Sequence, residues 1–183
     1  AVNASSEKRH GDMARRKEIL LGTNQYPNFG EMAADKIVNT GCACSCANKA
    51  EGEGEGKKLS TKRAASDFED LRLATEAAAN RPKVFMLTIG NLAMRLARSQ
   101  FSANFFGCAG YEIIDNLGFN TVEEGVNAAI EKNADIIVIC SSDDEYATLA
   151  PEAFKAINGR AEFVVAGAPA STEELQAQGI TNF

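Results

Sequence analysis

Several features that commonly carry function are absent from this sequence. His10 is its single histidine, and the formal net charge is -6 without a basic cluster. Nucleic-acid binding is therefore not expected, because it depends on clustered positive charge. No apolar run approaches the roughly 20 residues that cross a bilayer, and we expect no signal peptide before the fold. We therefore expect a cytoplasmic protein that does not interact with membranes.

The five cysteines do not form the spaced pattern of a disulfide framework. Cys42, Cys44 and Cys46 are crowded together, whereas Cys108 and Cys140 stand alone. The cluster could bind a soft metal, but zinc sites usually combine two separate cysteine pairs. Adventitious metal binding or oxidation in a disordered loop is the favoured interpretation, and Cys140 is interpreted as a small buried hydrophobe. The pattern fits a reducing compartment.

Residues 1–30 show little regular apolar patterning. A short solvent-facing helix is expected before Gly11, and Ile19-Leu20-Leu21 has the apolar character of a buried strand. Because the chain begins with Ala-Val-Asn rather than with methionine, we expect a fragment that lacks some partners of this strand.

Alternating glutamate and glycine dominate residues 51–56. Such a segment has high backbone entropy, self-repelling charge and nothing to bury, which predicts a flexible linker from Thr40 to Lys58. Order is expected to resume in a helix from Ser66 to Ala79. The side chains expected on its buried face are Phe68, Leu71 and Thr75.

After Pro82, short apolar runs alternate regularly with helical segments. Strands separated by helices imply βαβ crossovers and a parallel sheet covered by helices on both faces. We therefore predict an α/β fold, a doubly wound parallel sheet with strand order 2-1-3-4-5. The predicted strands are Lys83–Gly90, Gly110–Asp115, Asp135–Cys140, Glu162–Gly167 and the beginning of a fifth at Ile180–Phe183. The predicted helix boundaries are a capping box at Thr121 and Glu124, the range Asp144–Ile157 closed by Asn158-Gly159, and a cap at Ser171.

The turn at Gly90 is the first place to look for a ligand, because ligands of such sheets bind where the first strand ends. A dinucleotide site would require Gly-x-Gly-x-x-Gly, whereas the sequence offers the single glycine of Gly90-Asn-Leu-Ala-Met-Arg95. Asp115 could supply the acidic residue of such a site, but alone it is weak support. A nucleotide site is therefore not favoured.

Two charged segments allow alternative interpretations. Asp143-Asp144-Glu145 could hold a hard cation, but acidic residues are also favoured at a helix N-terminus by the helix dipole, and we favour that explanation. Arg95 and Arg98, with the aromatic run Phe101–Phe106, have the composition of a protein interface. They equally fit a core-facing helix with snorkelling arginines, and both interpretations stay open.

Four stretches of the sequence are distinctive, and they resemble the small subunit of the bacterial adenosylcobalamin-dependent methylmalonyl-CoA mutase family. The resemblance implies that residues 1–30 are the C-terminal remnant of an acyl-CoA-binding (β/α)8 barrel, with Ile19-Leu20-Leu21 as its last strand. Residues 31–80 would be an interdomain linker, and 81–183 most of a flavodoxin-like, cobalamin-binding-type domain. The four stretches are Arg81–Asn91, Arg98–Phe106, Asn116–Gly125 and Cys140–Ala147.

The cofactor motif of that family is missing. Cobalamin-binding members carry Asp-x-His-x-x-Gly after the first strand, where the histidine ligates cobalt and the aspartate holds its other nitrogen. No histidine follows His10 here. The family's Ser-x-Leu appears as Ser141-Ser142-Asp143, and its Gly-Gly as Gly167-Ala168. The resemblance therefore implies that this chain binds no adenosylcobalamin and no metal, and that a vestigial cleft is outlined by Gly90, Asn91, Ser141, Ser142, Gly167 and Ala168.

The function implied by the resemblance is that of a non-catalytic small subunit in a heterodimeric isomerase. The holoenzyme would interconvert succinyl-CoA and (R)-methylmalonyl-CoA by a radical rearrangement, with adenosylcobalamin held by the large catalytic subunit. The alternative is a stand-alone flavodoxin-like binding or regulatory module that uses the cleft for another small molecule. An active cobalamin enzyme is disfavoured by the missing histidine.

Overall fold

The computed structural model describes residues 2–36 and 63–183. The predicted linker Thr40–Lys58 lies outside these residues, as do Cys42, Cys44 and Cys46. Among the described helices, none combines the length and the apolar character that a membrane span requires.

The centre of the fold is a parallel sheet. Its strands are β1 (Lys83–Thr88), β2 (Glu112–Ile114), β3 (Ile136–Cys140) and β4 (Glu162–Val165). They lie in the order β2-β1-β3-β4, so that β1 and β3 occupy the middle. The register of the central pair runs from Val84↔Ile136 to Thr88↔Cys140. This confirms the predicted α/β class, and the all-parallel sheet is consistent with a flavodoxin-like domain.

Helices cover both faces of the sheet. The described helices are α1 (Val2–Ala14), α2 (Ser66–Ala77), α3 (Leu92–Cys108), α4 (Val122–Glu131), α5 (Asp143–Ile157) and α6 (Thr172–Ala177), with a short 3-10 turn at Ala34–Lys36. Helix α3 packs on one face of the sheet, and α4 and α5 pack on the other. Successive side chains of a strand point to opposite faces. Val84 and Met86 therefore face α3, while Phe85 and Leu87 face α4 and α5. All four are buried, and burying one such side chain stabilises the fold by about 1.5–3 kcal/mol.

Predicted boundary signals are found at the start of α4, through the Thr121 half of its capping box, and at the end of α5. The Thr121 hydroxyl caps α4 by accepting a hydrogen bond from the Glu124 N–H at 3.3 Å. Helix α5 starts at Asp143, one residue before the prediction, and ends at Ile157. Asn158 then adopts the left-handed conformation, with φ of 49°, which a short polar side chain tolerates at a helix end.

The predicted fifth strand is not formed. Residues 181–183 lack strand conformation, although the Val165 N–H donates to the Asn182 carbonyl at 3.0 Å and the Asn182 side-chain amide donates to the Phe163 carbonyl at 3.2 Å. The described sheet thus matches the first four positions of the predicted order 2-1-3-4-5. Ser171 does lie at the start of α6, but its side chain makes no capping hydrogen bond.

The N-terminal segment differs from both expectations. Helix α1 continues through Gly11 to Ala14 and buries Met13. The prediction of a buried strand at Ile19-Leu20-Leu21 is wrong for this structure, since Ile19 is 58% and Leu21 is 78% exposed. Leu21 forms only an isolated bridge with Gln25.

A buried polar side chain, Asn24, explains this local structure. Its Oδ1 accepts from the Leu20 N–H at 2.8 Å, and its Nδ2 donates to the carbonyls of Met13 at 3.1 Å and Glu18 at 2.9 Å. These three bonds fold the segment back on the end of α1, which prevents an extended strand.

Helix α2 begins at the predicted Ser66 and ends at Ala77, two residues before the prediction. Thr75 is buried as predicted, but the rest of the buried face differs. Leu71 is exposed, whereas Arg72 is buried among backbone carbonyls. The Arg72 Nη2 donates to the carbonyls of Asn28 at 2.9 Å and Glu31 at 2.5 Å. Its Nε lies 3.3 Å from Glu76, whose carboxylate accepts from the N–H groups of residues 33 and 34. The arginine and glutamate together therefore fasten the N-terminal segment to α2.

We expect Arg72→Ala to lower the free energy of unfolding by about 3 kcal/mol, because it strands a buried carboxylate and two carbonyls. The matched control is Arg63→Ala, which removes the exposed pair with Glu69 and should cost less than about 1 kcal/mol. Both values are measured by urea denaturation. Equal losses for the two variants would contradict the proposed fastening.

Candidate functional site

The carboxyl edge of the sheet is the candidate site, and most of the predicted cleft residues meet there. Gly90 and Asn91 follow β1, while Ser141 and Ser142 follow β3. The structure brings these four residues together around one side chain, that of Glu145.

The side chain of Glu145, in the first helical turn of α5, fills the space between the loop that follows β1 and the loop that follows β3. Its Oε2 accepts hydrogen bonds from the hydroxyls of Ser141 at 2.5 Å and Ser142 at 2.7 Å. It also accepts from the backbone N–H groups of Asn91 at 3.1 Å and Ser142 at 3.2 Å. Gly90, with φ of +77°, makes room for it, because a Cβ there would lie only 2.6 Å from the carboxylate carbon.

The protonation of Glu145 follows from these four donors. Hydrogen bonds from the hydroxyls of Ser141 and Ser142, and from the Asn91 N–H, lower the pKa of its carboxyl to about 2, while burial acts in the opposite direction. A carboxylate that accepts several hydrogen bonds is stabilised in its charged form. The turn at Gly90 therefore holds a permanent negative charge near neutral pH.

Tyr146, the next residue of α5, joins the ends of two strands. Its hydroxyl is fully buried, accepts from the Ser141 N–H at 3.0 Å and donates to the Ala166 carbonyl at 2.9 Å. Burial, above all, raises the pKa of Tyr146 to about 12, so that it stays neutral. Two consecutive side chains of α5 thus satisfy polar groups at this edge.

Two arginines of α3 cover the rest of the edge. Arg98 pairs with Asp143 at 2.9 Å and lies against Gly167, where a Cβ would be 3.0 Å from its Nη1. Arg95 donates to the carbonyl of Leu117 at 3.2 Å and lies against Gly118, where a Cβ would be 2.7 Å from its Cζ. Both guanidinium groups therefore reach from α3 to loops that follow other strands.

The remaining predicted positions have other surroundings. Ala168 is exposed, and the part of this loop that meets the cleft is Gly167, through Arg98. Asp115, considered for a nucleotide site, accepts from the Ser99 hydroxyl at 3.2 Å and from the Asn116 N–H at 2.9 Å. It is thus engaged within the chain.

The acidic run Asp143-Asp144-Glu145 is divided between separate roles. Asp143 pairs with Arg98, Asp144 is exposed, and Glu145 completes a capping box with Ser142. In residues 2–36 and 63–183, no group of three or more histidine, cysteine or acidic side chains is arranged to hold a metal ion. The role of Glu145 was missed in the sequence, although the spacing Ser142-x-x-Glu145 is that of a capping box.

The aromatic run of α3 belongs partly to the core and partly to the surface. Phe106 stacks on Tyr111, with ring centroids 6.1 Å apart, and packs against the buried cluster that contains Val84 and Met86. Phe101 and Phe105 are exposed, and the Arg16 guanidinium lies 5.5 and 5.6 Å from their ring centroids. The core-facing interpretation is thus confirmed for Phe106, whereas an interface at the exposed Phe101 and Phe105 stays a prediction.

We expect Glu145 to make the free energy of unfolding depend on pH in the acidic range. Its folded pKa of about 2 lies below the ordinary value of 4.5, so its contribution is present above pH 4.5 and is lost as the pH falls toward 2. Glu145→Gln should remove about 1–3 kcal/mol at neutral pH, allowing for partial solvent screening. The substitution should also flatten the pH dependence of the free energy of unfolding between pH 2 and pH 4.5, as measured by urea denaturation at several pH values.

The control is Asp144→Asn, which changes the same charge at the exposed neighbouring position. This variant should keep the acid-dependent slope of the parent chain. A slope that survives in Glu145→Gln would show that the carboxylate is not held as described.

Comparison with known proteins gives a consistent set of relatives. The chain is 62% identical over all 183 of its residues to the methylmalonyl-CoA mutase small subunit of Porphyromonas gingivalis, of which it covers 29%. It is 31% identical over 148 residues, 76% of the chain, to a probable methylmalonyl-CoA mutase small subunit of Mycobacterium tuberculosis, of which the match covers 20%. A match of 28% identity over 160 residues, 85% of the chain, covers 24% of the methylmalonyl-CoA mutase small subunit of Streptomyces virginiae.

No protein-family model matches the sequence. The chain spans less than a third of the length of these relatives, since its matches cover 29%, 20% and 24% of them. Its match to the Porphyromonas gingivalis protein nevertheless extends over 100% of its own residues. From end to end, the chain belongs to the family of methylmalonyl-CoA mutase small subunits.

Proposed function

We propose that the chain is part of the non-catalytic small subunit of a heterodimeric methylmalonyl-CoA mutase. The holoenzyme interconverts succinyl-CoA and (R)-methylmalonyl-CoA, and the small subunit supports the structure of the large catalytic subunit. The observation that carries this proposal is the 62% identity, over the whole chain, to the small subunit of Porphyromonas gingivalis.

The second part of the proposal is that this chain does not hold adenosylcobalamin. In cobalamin-binding members of the resembled family, a histidine after the first strand would ligate cobalt, but no histidine follows His10 here. The corresponding turn is filled by the Glu145 carboxylate, which four donors already engage. The residues present therefore do not fit the cofactor, and no step of the rearrangement is assigned to this chain.

The third part concerns the division of the chain. Residues 81–183 would form the cobalamin-binding-like domain, 31–80 a linker, and 1–30 the remnant of a barrel domain. All four described strands lie between residues 83 and 165, which supports the first assignment. Hydrogen bonds from Arg72 and Arg81 to carbonyls of Asn28 and Phe29 attach the N-terminal segment to this domain.

The proposal is tested by co-expressing the tagged small subunit that contains this chain with the large subunit of the same enzyme. We expect a complex of one copy of each by size-exclusion chromatography with light scattering. Corrinoid absorbance should be present in the complex and in the isolated large subunit. The isolated small subunit should carry none.

Two results would contradict the proposal. A tagged protein that elutes alone in the presence of the large subunit would favour a stand-alone module. Stoichiometric corrinoid in the isolated small subunit would show that it carries the cofactor itself.

A further inference from the structure

The cleft at the carboxyl edge differs from an open site that has merely lost one ligand. A lost ligand leaves the surrounding space available, and an external group could then replace the missing one. In this chain the space itself is taken by charged side chains from neighbouring elements. We infer that these side chains, rather than the missing histidine alone, exclude adenosylcobalamin from the chain. This inference rests on the proposed absence of the cofactor.

Three glycines show how the space is filled. Gly90, Gly118 and Gly167 all have positive φ, at +77°, +114° and +149°, and each lies at the carboxyl edge. Each one faces a charged side chain from another segment: Glu145, Arg95 and Arg98, respectively. A Cβ at any of the three positions would lie within 3.0 Å of that side chain. The space beside each of these glycines is thus occupied by a charged side chain of the same protein.

The charged side chains are held in place by partners on both sides of the cleft. Glu145 joins the turn after β1 to the turn after β3, through Asn91, Ser141 and Ser142. Arg98 joins α3 to the start of α5 through its 2.9 Å pair with Asp143. A ligand entering here would have to break these bonds and leave polar groups without partners, which opposes binding.

Chemical rescue separates the two explanations. The purified chain is titrated with hydroxocobalamin, with and without added imidazole, and the corrinoid absorption spectrum is recorded. Imidazole supplies the nitrogen ligand that the chain lacks. We expect no saturable spectral change for the unmodified chain under either condition.

The variant that empties the cleft is the double substitution Glu145→Ala with Arg98→Ala. With imidazole present, its apparent affinity for hydroxocobalamin should be at least about tenfold higher than that of the unmodified chain. The matched control is Asp144→Ala, which removes an exposed charge next to Glu145 and to Asp143, the partner of Arg98. This variant should not gain affinity for hydroxocobalamin. Circular dichroism verifies folding, and each single variant is titrated if the double variant does not fold.

The outcomes are distinct. Imidazole-dependent binding by the unmodified chain would overturn the inference and leave the proposed function intact. Binding without imidazole would overturn both. Failure of every folded variant to gain affinity would also overturn the inference, because the side chains would then not be what closes the cleft.

Discussion

Satisfaction of polar backbone groups at the carboxyl edge of the sheet is the constraint on which the rest of this structure depends. Where parallel strands end, N–H and C=O groups lose their ladder partners, and buried groups of this kind must find others. Here side chains of the chain itself provide them. The Tyr146 hydroxyl accepts a hydrogen bond from the N–H of Ser141 and donates one to the carbonyl of Ala166. The Asn116 side-chain amide donates to the carbonyl of Met86 and accepts from the N–H of Gly118. In open α/β sheets that bind a ligand, the ligand lies at this same edge.

Much of the fold could be predicted because its signals are local. The apolar runs of β1 and β3 stand between polar and helical segments, so that their burial on two faces is visible in the sequence. The cap at Thr121 and the left-handed end at Asn158 depend on neighbours within a few residues. The absence of a histidine after residue 10 is likewise plain in the sequence.

The side chains that fill the cleft could not be predicted because their partners are distant in sequence. Glu145 meets Asn91 across 54 residues, and Arg98 meets Asp143 across 45. A single sequence does not contain this pairing. The burial of Leu71 in helix α2 was predicted wrongly for a related reason. The apolar pattern favoured Leu71, but the carbonyls of the N-terminal segment accept hydrogen bonds from Arg72, which is buried instead. The segment Ile180–Phe183 has strand character without forming a strand, since strand formation also depends on a neighbour.

The pairing of three glycines with three charged side chains also restricts how this chain can change over generations. A Cβ acquired at Gly90 would collide with the Glu145 carboxylate, and truncation of Glu145 would not remove the second obstacle, because the φ of +77° strains any residue other than glycine. Gly118 and Gly167 combine the same two constraints, a positive φ and a neighbouring guanidinium group, that of Arg95 and that of Arg98 respectively. The backbone conformation and the neighbouring charged side chain therefore both favour glycine at these three positions.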